Sequence, residues 1–164
     1  MKNTTLLILL SLIITSCGEK THEEITERYD DGKPKIIKYY NEVGNNKKLV
    51  KTIQYFPNGQ IEKEVNIIDG NNNDYKSTTY YESGQIELVG NVTNDLRNGK
   101  WIAYYENGQT EWEVNIKDGE MNGRWISYWN NGKIFSEGNI ENGKEEGKWT
   151  YYNDDGTVKE VEEY

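Results

Sequence analysis

Apolar and polar residues alternate along most of this chain, in short segments that end at turn signals. After Gly108, for example, Trp112, Val114 and Ile116 occupy alternate positions, and mainly acidic or amide residues lie between them. The same alternation follows the neighbouring turn glycines on either side. Period-two alternation is typical of an antiparallel β-strand with one buried face.

Turn signals separate these segments at regular intervals. Asn-Gly and Asp-Gly pairs such as Asn58-Gly59, Asn107-Gly108 and Asp155-Gly156 supply the positive φ angles that hairpin turns require. Helical periodicity is not evident beyond the N-terminal segment. The pattern therefore predicts an all-β protein, an elongated antiparallel meander of roughly 10–12 strands.

The strands that precede the turn glycines carry a repeat of about 24 residues. One column holds Tyr55, Tyr80, Tyr104, Tyr128 and Tyr152, and a Gly-x-Trp column holds Trp101, Trp125 and Trp149. A fixed period indicates that each repeat is one supersecondary unit, here a β-hairpin, whose core continues into its neighbours. We therefore expect these aromatic columns to form a stacked core.

The repeat, best seen over residues 104–125, resembles the MORN repeat variant, which is commonly grouped with the YwqK-family antitoxins. The resemblance is good over residues 54–164 and loose over residues 28–53, where Gly-x-Trp is missing. It implies a MORN-like β-hairpin repeat domain over residues 28–164. MORN-type repeats serve as scaffolds and contact surfaces, so the resemblance implies binding without naming the partner.

The N-terminal segment has the features of a signal peptide over residues 1–16. Lys2 is followed by an apolar stretch, Leu6–Ile14, that is too short to span a bilayer as a helix. The next residues, Ile14–Cys17 (ITSC), resemble a bacterial lipobox, which implies cleavage before Cys17 and diacylglycerol on its thiol. The alternative is an ordinary secretory signal that ends near a cysteine by chance.

Lipidation of Cys17 would make the mature chain a membrane-anchored protein. We expect the lipidated cysteine and a polar tether over residues 17–27, followed by the repeat domain. The expected location is the bacterial cell envelope, at the outer membrane where the cell has two membranes. Because Cys17 is the only cysteine, an intramolecular disulfide or a cysteine-based zinc site is excluded.

Charge and composition narrow the range of partners. The formal net charge of −9 disfavours nucleic acid, which is bound mainly through basic contacts to phosphate. It also disfavours a second, electrostatic attachment to anionic lipid. Apolar residues make up only 34% of the chain and aromatic residues 12%, so Tyr and Trp must supply much of the buried area.

Candidate catalytic chemistry is sparse. The only histidine, His22, falls in the predicted tether, and acidic pairs such as Glu111 and Glu113 suit a solvated strand face. Asp69–Asp74 has the composition of a calcium loop, but position 12 of that loop would be Tyr80 instead of a bidentate Glu. We predict that the protein is not an enzyme and has neither a cofactor nor a metal site.

A second aromatic column follows the first. Its members are Phe56, Tyr81, Tyr105 and Trp129. A single sheet buries only one face well, so these surplus aromatics are candidates for an exposed stripe that contacts a protein partner.

The sequence as a whole predicts a lipid-anchored envelope protein that acts as a protein-binding or scaffold module. Two contact modes are open: the sheet face, and addition of a partner strand at the C-terminal edge. The alternative function is an antitoxin or immunity-type protein that neutralises a partner toxin. The protein partner is unknown.

Overall fold

The computed structural model describes residues 20–43, 46–68 and 70–164, and within them it contains strands and turns but no helix. Twelve strands form one open antiparallel sheet in which each strand pairs with its neighbours in sequence. The all-β meander predicted from the repeat is therefore confirmed. The strands are β1 (Lys20–Arg28), β2 (Pro34–Val43), β3 (Asn46–Tyr55), β4 (Ile61–Ile68), β5 (Asn71–Tyr80), β6 (Ile86–Thr93), β7 (Leu96–Tyr104), β8 (Thr110–Lys117), β9 (Glu120–Tyr128), β10 (Ile134–Glu141), β11 (Lys144–Tyr152) and β12 (Val158–Glu163).

The N-terminal end of the sheet differs from the prediction. Most of the segment expected to be a tether, residues 17–27, is strand β1, which pairs with β2 from Lys20↔Glu42 to Arg28↔Pro34. An edge strand is held by backbone hydrogen bonds on one side and does not need an apolar face. The sequence of β1 is polar and shows little alternation, so the strand was not predicted from it. Residues 17–19 lie outside the described residues.

Two kinds of turn alternate along the sheet. Two-residue turns connect β6 to β7, β8 to β9 and β10 to β11, and both residues have positive φ, as in Asp118-Gly119 (51° and 90°). These angles match the right-handed twist of the flanking strands. The turns that follow β1, β3, β5, β7, β9 and β11 are longer and close with bonds such as Gly84 N–H to Tyr81 O.

A register shift follows each of the longer turns. In β8, Thr110 pairs with Tyr104 and Trp112 with Ala103, so Glu111 is an extra residue. Such a bulge increases the local twist of the strands and redirects the extra side chain. The same bulge recurs after each of these turns.

The two faces of the sheet differ in chemistry. Trp101, Val114 and Trp125 lie opposite one another across β7, β8 and β9, and we call their side of the sheet the aromatic face. On the other side, the polar face, Ile102 pairs with Glu113 and Glu113 with Ile126.

The core lies on the aromatic face of the later strands, β6 to β11. Its buried residues are Val92, Trp101, Val114, Ile116, Ile140 and Trp149. In the described residues no second sheet or helix covers either face. The core is therefore one layer of side chains, and its outer surface remains in contact with solvent.

Candidate binding surface

The predicted lipidation site, Cys17, lies outside the described residues, as does the proposed signal peptide. Across residues 20–43, 46–68 and 70–164, no helix has the length and apolar character needed to cross a membrane. Lipidation therefore stays a prediction from the sequence.

The second aromatic column is built into the sheet more deeply than an exposed stripe would be. Its members, Phe56, Tyr81, Tyr105 and Trp129, are all partly buried. The three members that carry a polar group, Tyr81, Tyr105 and Trp129, each donate to a backbone oxygen of the next repeat. Tyr81 Oη donates to Tyr104 O (2.8 Å), and Trp129 Nε1 donates to Tyr152 O (3.2 Å). Each of these bonds links one hairpin to the next, across 23 residues of sequence. Contact with a partner stays a prediction for this column.

An open groove of about 600 Å³ lies over the last three repeats. Its walls are mainly aromatic: Tyr105, Trp112, Trp125, Phe135, Trp149 and Tyr151. Tyr105 is the member of the predicted stripe that lines it. The other groove residues were not singled out by the sequence as contact residues.

Two of the three indole rings of the Trp column are packed flat against the sheet. Trp101 and Trp149 lie directly over glycines of the adjacent strand, and a Cβ atom on Gly90 or Gly138 would be 2.2 or 2.3 Å from the ring. Each indole also donates to a backbone oxygen, as in the 3.1 Å bond from Trp149 Nε1 to Asn139 O. These two rings are only 3% exposed.

The middle repeat packs its indole differently, because Val114 stands at the position that Gly90 and Gly138 hold in the other two repeats. Trp125 cannot lie flat over a valine, and it stacks instead against Trp112, with 5.6 Å between ring centroids and 17° between planes. Both rings are half-buried. Neither indole N–H has a protein acceptor in the described part of the chain, so both remain free to bond to a ligand or water.

Small residues form the floor of the groove. Ser127 Oγ and Ser136 Oγ are 2.6 Å apart and share a hydrogen bond, which satisfies two hydroxyls where a larger side chain would fill the space. Phe135 replaces the Glu of the earlier repeats at the bulge position, and its ring meets Tyr151 edge to face at 6.3 Å. The break in the Glu column is the signal by which the sequence could have marked this site.

The charged groups of the groove are acidic. Glu111 and Glu145 line it, and no Lys or Arg of the described chain does. Burial, followed by the charge of Glu111, raises the pKa of Tyr105 above its ordinary value. The groove therefore combines aromatic faces with negative charge, an environment that favours a cation.

The polar face, in contrast, neutralises its own charges. Arg124 Nη2 lies 2.7 Å from Glu137 Oε2, and Tyr152 Oη donates to the other carboxylate oxygen at 2.7 Å. These two hydrogen bonds hold the pKa of Glu137 below its ordinary value. One repeat earlier, Lys100 Nζ lies 2.6 Å from Glu113 Oε2. Charges already paired in this way offer less to a partner than the groove does.

The C-terminal edge of the sheet is the other predicted contact. Val158, Val161 and Tyr164 are more than half exposed in and beyond β12. Tyr164 is tied back to the sheet, because its backbone N–H and C=O both bond to Gly147. Glu160, Glu162 and Glu163 of this strand place negative charge where an added strand would approach.

Comparison with known proteins finds the MORN repeat variant in four segments of the chain, residues 48–69, 97–118, 121–142 and 145–164. Together these segments cover more than half of the sequence. Three of them contain the hairpins that build the groove. A search of curated proteins finds no match to the chain.

Proposed function

The chain belongs to the MORN repeat variant family, and we propose that it is a protein-binding module of the bacterial cell envelope, anchored to a membrane by lipid on Cys17. MORN repeats are generally modules that bind proteins or membranes. In our proposal the sheet binds a protein, and the lipid supplies the membrane attachment.

The groove in the last three repeats is the observation that carries this proposal. Its half-buried indoles have free N–H groups and are covered by no second layer within the described residues. Aromatic side chains that border a concave surface are the usual anchors of protein interfaces. The sheet therefore has a surface suited to binding.

Attachment through lipid follows from the lipobox-like sequence before Cys17. Two acyl chains anchor a protein stably, at about 0.8 kcal/mol for each buried methylene. The net charge of −9 would not assist attachment to an anionic membrane. We place the protein in the envelope, at the outer membrane in a cell with two membranes, and propose that it has no catalytic activity, cofactor or nucleic-acid partner.

The start of β1 limits how far the sheet of an anchored protein could lie from the membrane. Because the sheet begins at Lys20, two residues separate it from Cys17, and they span at most about 11 Å between the flanking Cα atoms. The N-terminal edge of the sheet would then lie close to the membrane. The groove, around eight strands away, would project roughly 40 Å along the sheet at about 4.8 Å per strand.

Acyl labelling and membrane fractionation of the wild type beside Cys17→Ser test the anchor. We expect the wild type to incorporate labelled fatty acid and to fractionate with the membrane, and Cys17→Ser to lose both. An unlabelled wild type that stays in the cytosolic fraction would refute the envelope location.

A toxin-neutralising immunity protein is the second candidate, because an acidic protein with a cation-favouring groove suits a basic toxin. It predicts that a toxin encoded beside this chain is lethal alone and tolerated when the chain is co-expressed. Survival that does not depend on the chain would dismiss this candidate and leave the binding proposal in place.

A further inference from the structure

One position of the repeat changes its chemistry from hairpin to hairpin on the aromatic face. It is the second residue of β7, β9 and β11. Each residue at this position pairs with an aliphatic residue of the preceding strand: Arg97 with Val92, Met121 with Ile116, and Glu145 with Ile140. The three side chains are structurally equivalent because the register of the three hairpins is the same at this pair.

In the first of these hairpins the position supplies a cation to the aromatic face. The guanidinium carbon of Arg97 lies 4.5 Å from the centre of the Trp101 ring, within the range of a cation–π contact. The planar guanidinium also stacks well on an indole. The protein thus covers the ring of Trp101 with its own arginine.

The next two hairpins have the rings without the cation. Met121 is neutral and Glu145 is negative, and both line the groove beside Trp125 and Trp149. The stacked pair of Trp112 and Trp125 presents half-buried aromatic surface at this point. The site therefore has the aromatic half of the Arg97 arrangement, and Met121 and Glu145 stand where the arginine would be.

We propose that the groove receives an arginine side chain from an extended segment of a partner protein, in the place that Arg97 fills one repeat earlier. This inference rests on the proposed function and identifies the chemistry of its partner. The guanidinium would stack on the Trp112 and Trp125 pair, and the carboxylates of Glu111 and Glu145 would accept its hydrogen bonds.

A partner protein with a basic segment fits the groove better than a second copy of this chain or a lipid headgroup does. A second copy of this chain would bring a further net charge of −9, which repels, whereas a basic segment is attracted and steered toward the groove. A lipid headgroup is disfavoured because the groove lies several strands from the proposed anchor.

The test uses the mature lipidated protein, residues 17–164, in nanodiscs and follows its tryptophan fluorescence. The probe is a nine-residue peptide of Gly and Ser with one central arginine, beside the same peptide with citrulline, which keeps the shape and lacks the charge. We expect the arginine peptide to bind at least about tenfold more tightly, as a desolvated cation–π contact next to a carboxylate would give.

Two variants with the same change in net charge locate the binding. Met121→Arg places in the groove the residue found at this position in the preceding hairpin, so it should fill the site and weaken peptide binding by about tenfold or more. Glu120→Gln adds the same unit of charge at the adjacent exposed residue and should bind as the wild type does. Thermal unfolding of both variants checks that the fold is kept.

Equal binding of the arginine and citrulline peptides, or undiminished binding by folded Met121→Arg, would overturn the inference. These results separate it from the proposed function, which stands or falls on acylation of Cys17 and on capture of a partner through the sheet. A Met121→Arg protein that still captures its cellular partner would leave the binding module intact and remove the arginine site.

Discussion

Single residues decide where each indole ring lies on this sheet. A glycine on the preceding strand, Gly90 or Gly138, lets Trp101 or Trp149 lie flat and bury almost completely. Val114 holds that position on the strand before Trp125, which stacks on Trp112 instead. The sequence identified the Trp column and its 24-residue spacing. It could not show the contrast between glycine and valine, because that depends on which residues face each other across neighbouring strands.

Replacing Gly138 with alanine tests this packing. A Cβ atom there would lie 2.3 Å from the ring of Trp149, so the ring must move, and we expect a loss of about 1–3 kcal/mol in the free energy of unfolding. Denaturant unfolding measures it, and the same change in a Trp149→Ala background is the control. An equal loss in both backgrounds would show that the ring is not the cause.

Phe56 offers a prediction of increased stability. In the equivalent position Tyr105 Oη donates to Tyr128 O at 2.7 Å, a bond that a phenylalanine cannot make. We expect Phe56→Tyr to add such a bond to the next repeat and to raise the free energy of unfolding by about 0.5–1.5 kcal/mol. Tyr105→Phe should lower it by a similar amount, and a change of the same sign in both variants would contradict this role.

At the scale of the element, the hairpin is the repeating unit, and its two faces are stabilised differently. Packing dominates on the aromatic face, and on the polar face a cation, a glutamate and a tyrosine form a network, as in Arg124, Glu137 and Tyr152. Turn pairs and strand alternation were sufficient to predict the hairpins. They missed β1, which is held by backbone pairing and shows little alternation.

The polar-face network predicts how stability depends on pH. Hydrogen bonds from Arg124 and Tyr152 hold the pKa of Glu137 below its ordinary value of 4.5, so the folded protein binds this proton more weakly than the unfolded chain. The ionised Glu137 therefore adds to the stability of the folded protein above pH 4.5, and this stability is lost as the pH falls through the lowered pKa. As the pH falls from 4.5 through the lowered pKa of Glu137, the Glu137→Gln variant should therefore lose less stability than the wild type.

Thermal unfolding across this acidic range measures the difference. Glu120→Gln, which removes an exposed glutamate of the same hairpin region, is the control and should follow the wild-type curve. Parallel curves for Glu137→Gln and the wild type would show that the network contributes no pH dependence.

At the scale of the whole molecule, the described hairpins are stabilised by contacts with their immediate neighbours only. Each strand pairs with its neighbours in sequence, and the buried cluster is confined to β6 to β11. A repeat array of this kind opens most easily where neighbour contacts are poorest. The sequence predicted the continuous core but not its concentration in the later repeats, where the Trp column is complete.

Amide hydrogen exchange should follow this distribution. We expect the slowest exchange in β7 to β10, where core side chains lie on both neighbouring strands, and the fastest in the edge strands β1 and β12. Exchange measured by mass spectrometry resolves these segments. Uniform protection along the sheet would contradict a core concentrated in the later repeats.

The central claim is that this protein binds a partner through the groove on its aromatic face. The most direct measurement places a photo-cross-linking residue at Met121, in the groove, or at Asn115, exposed on the polar face, in cells that produce the protein. We predict one discrete protein adduct from position 121 and none from position 115. Adducts from position 115 alone, or equal adducts from both positions, would contradict the claim.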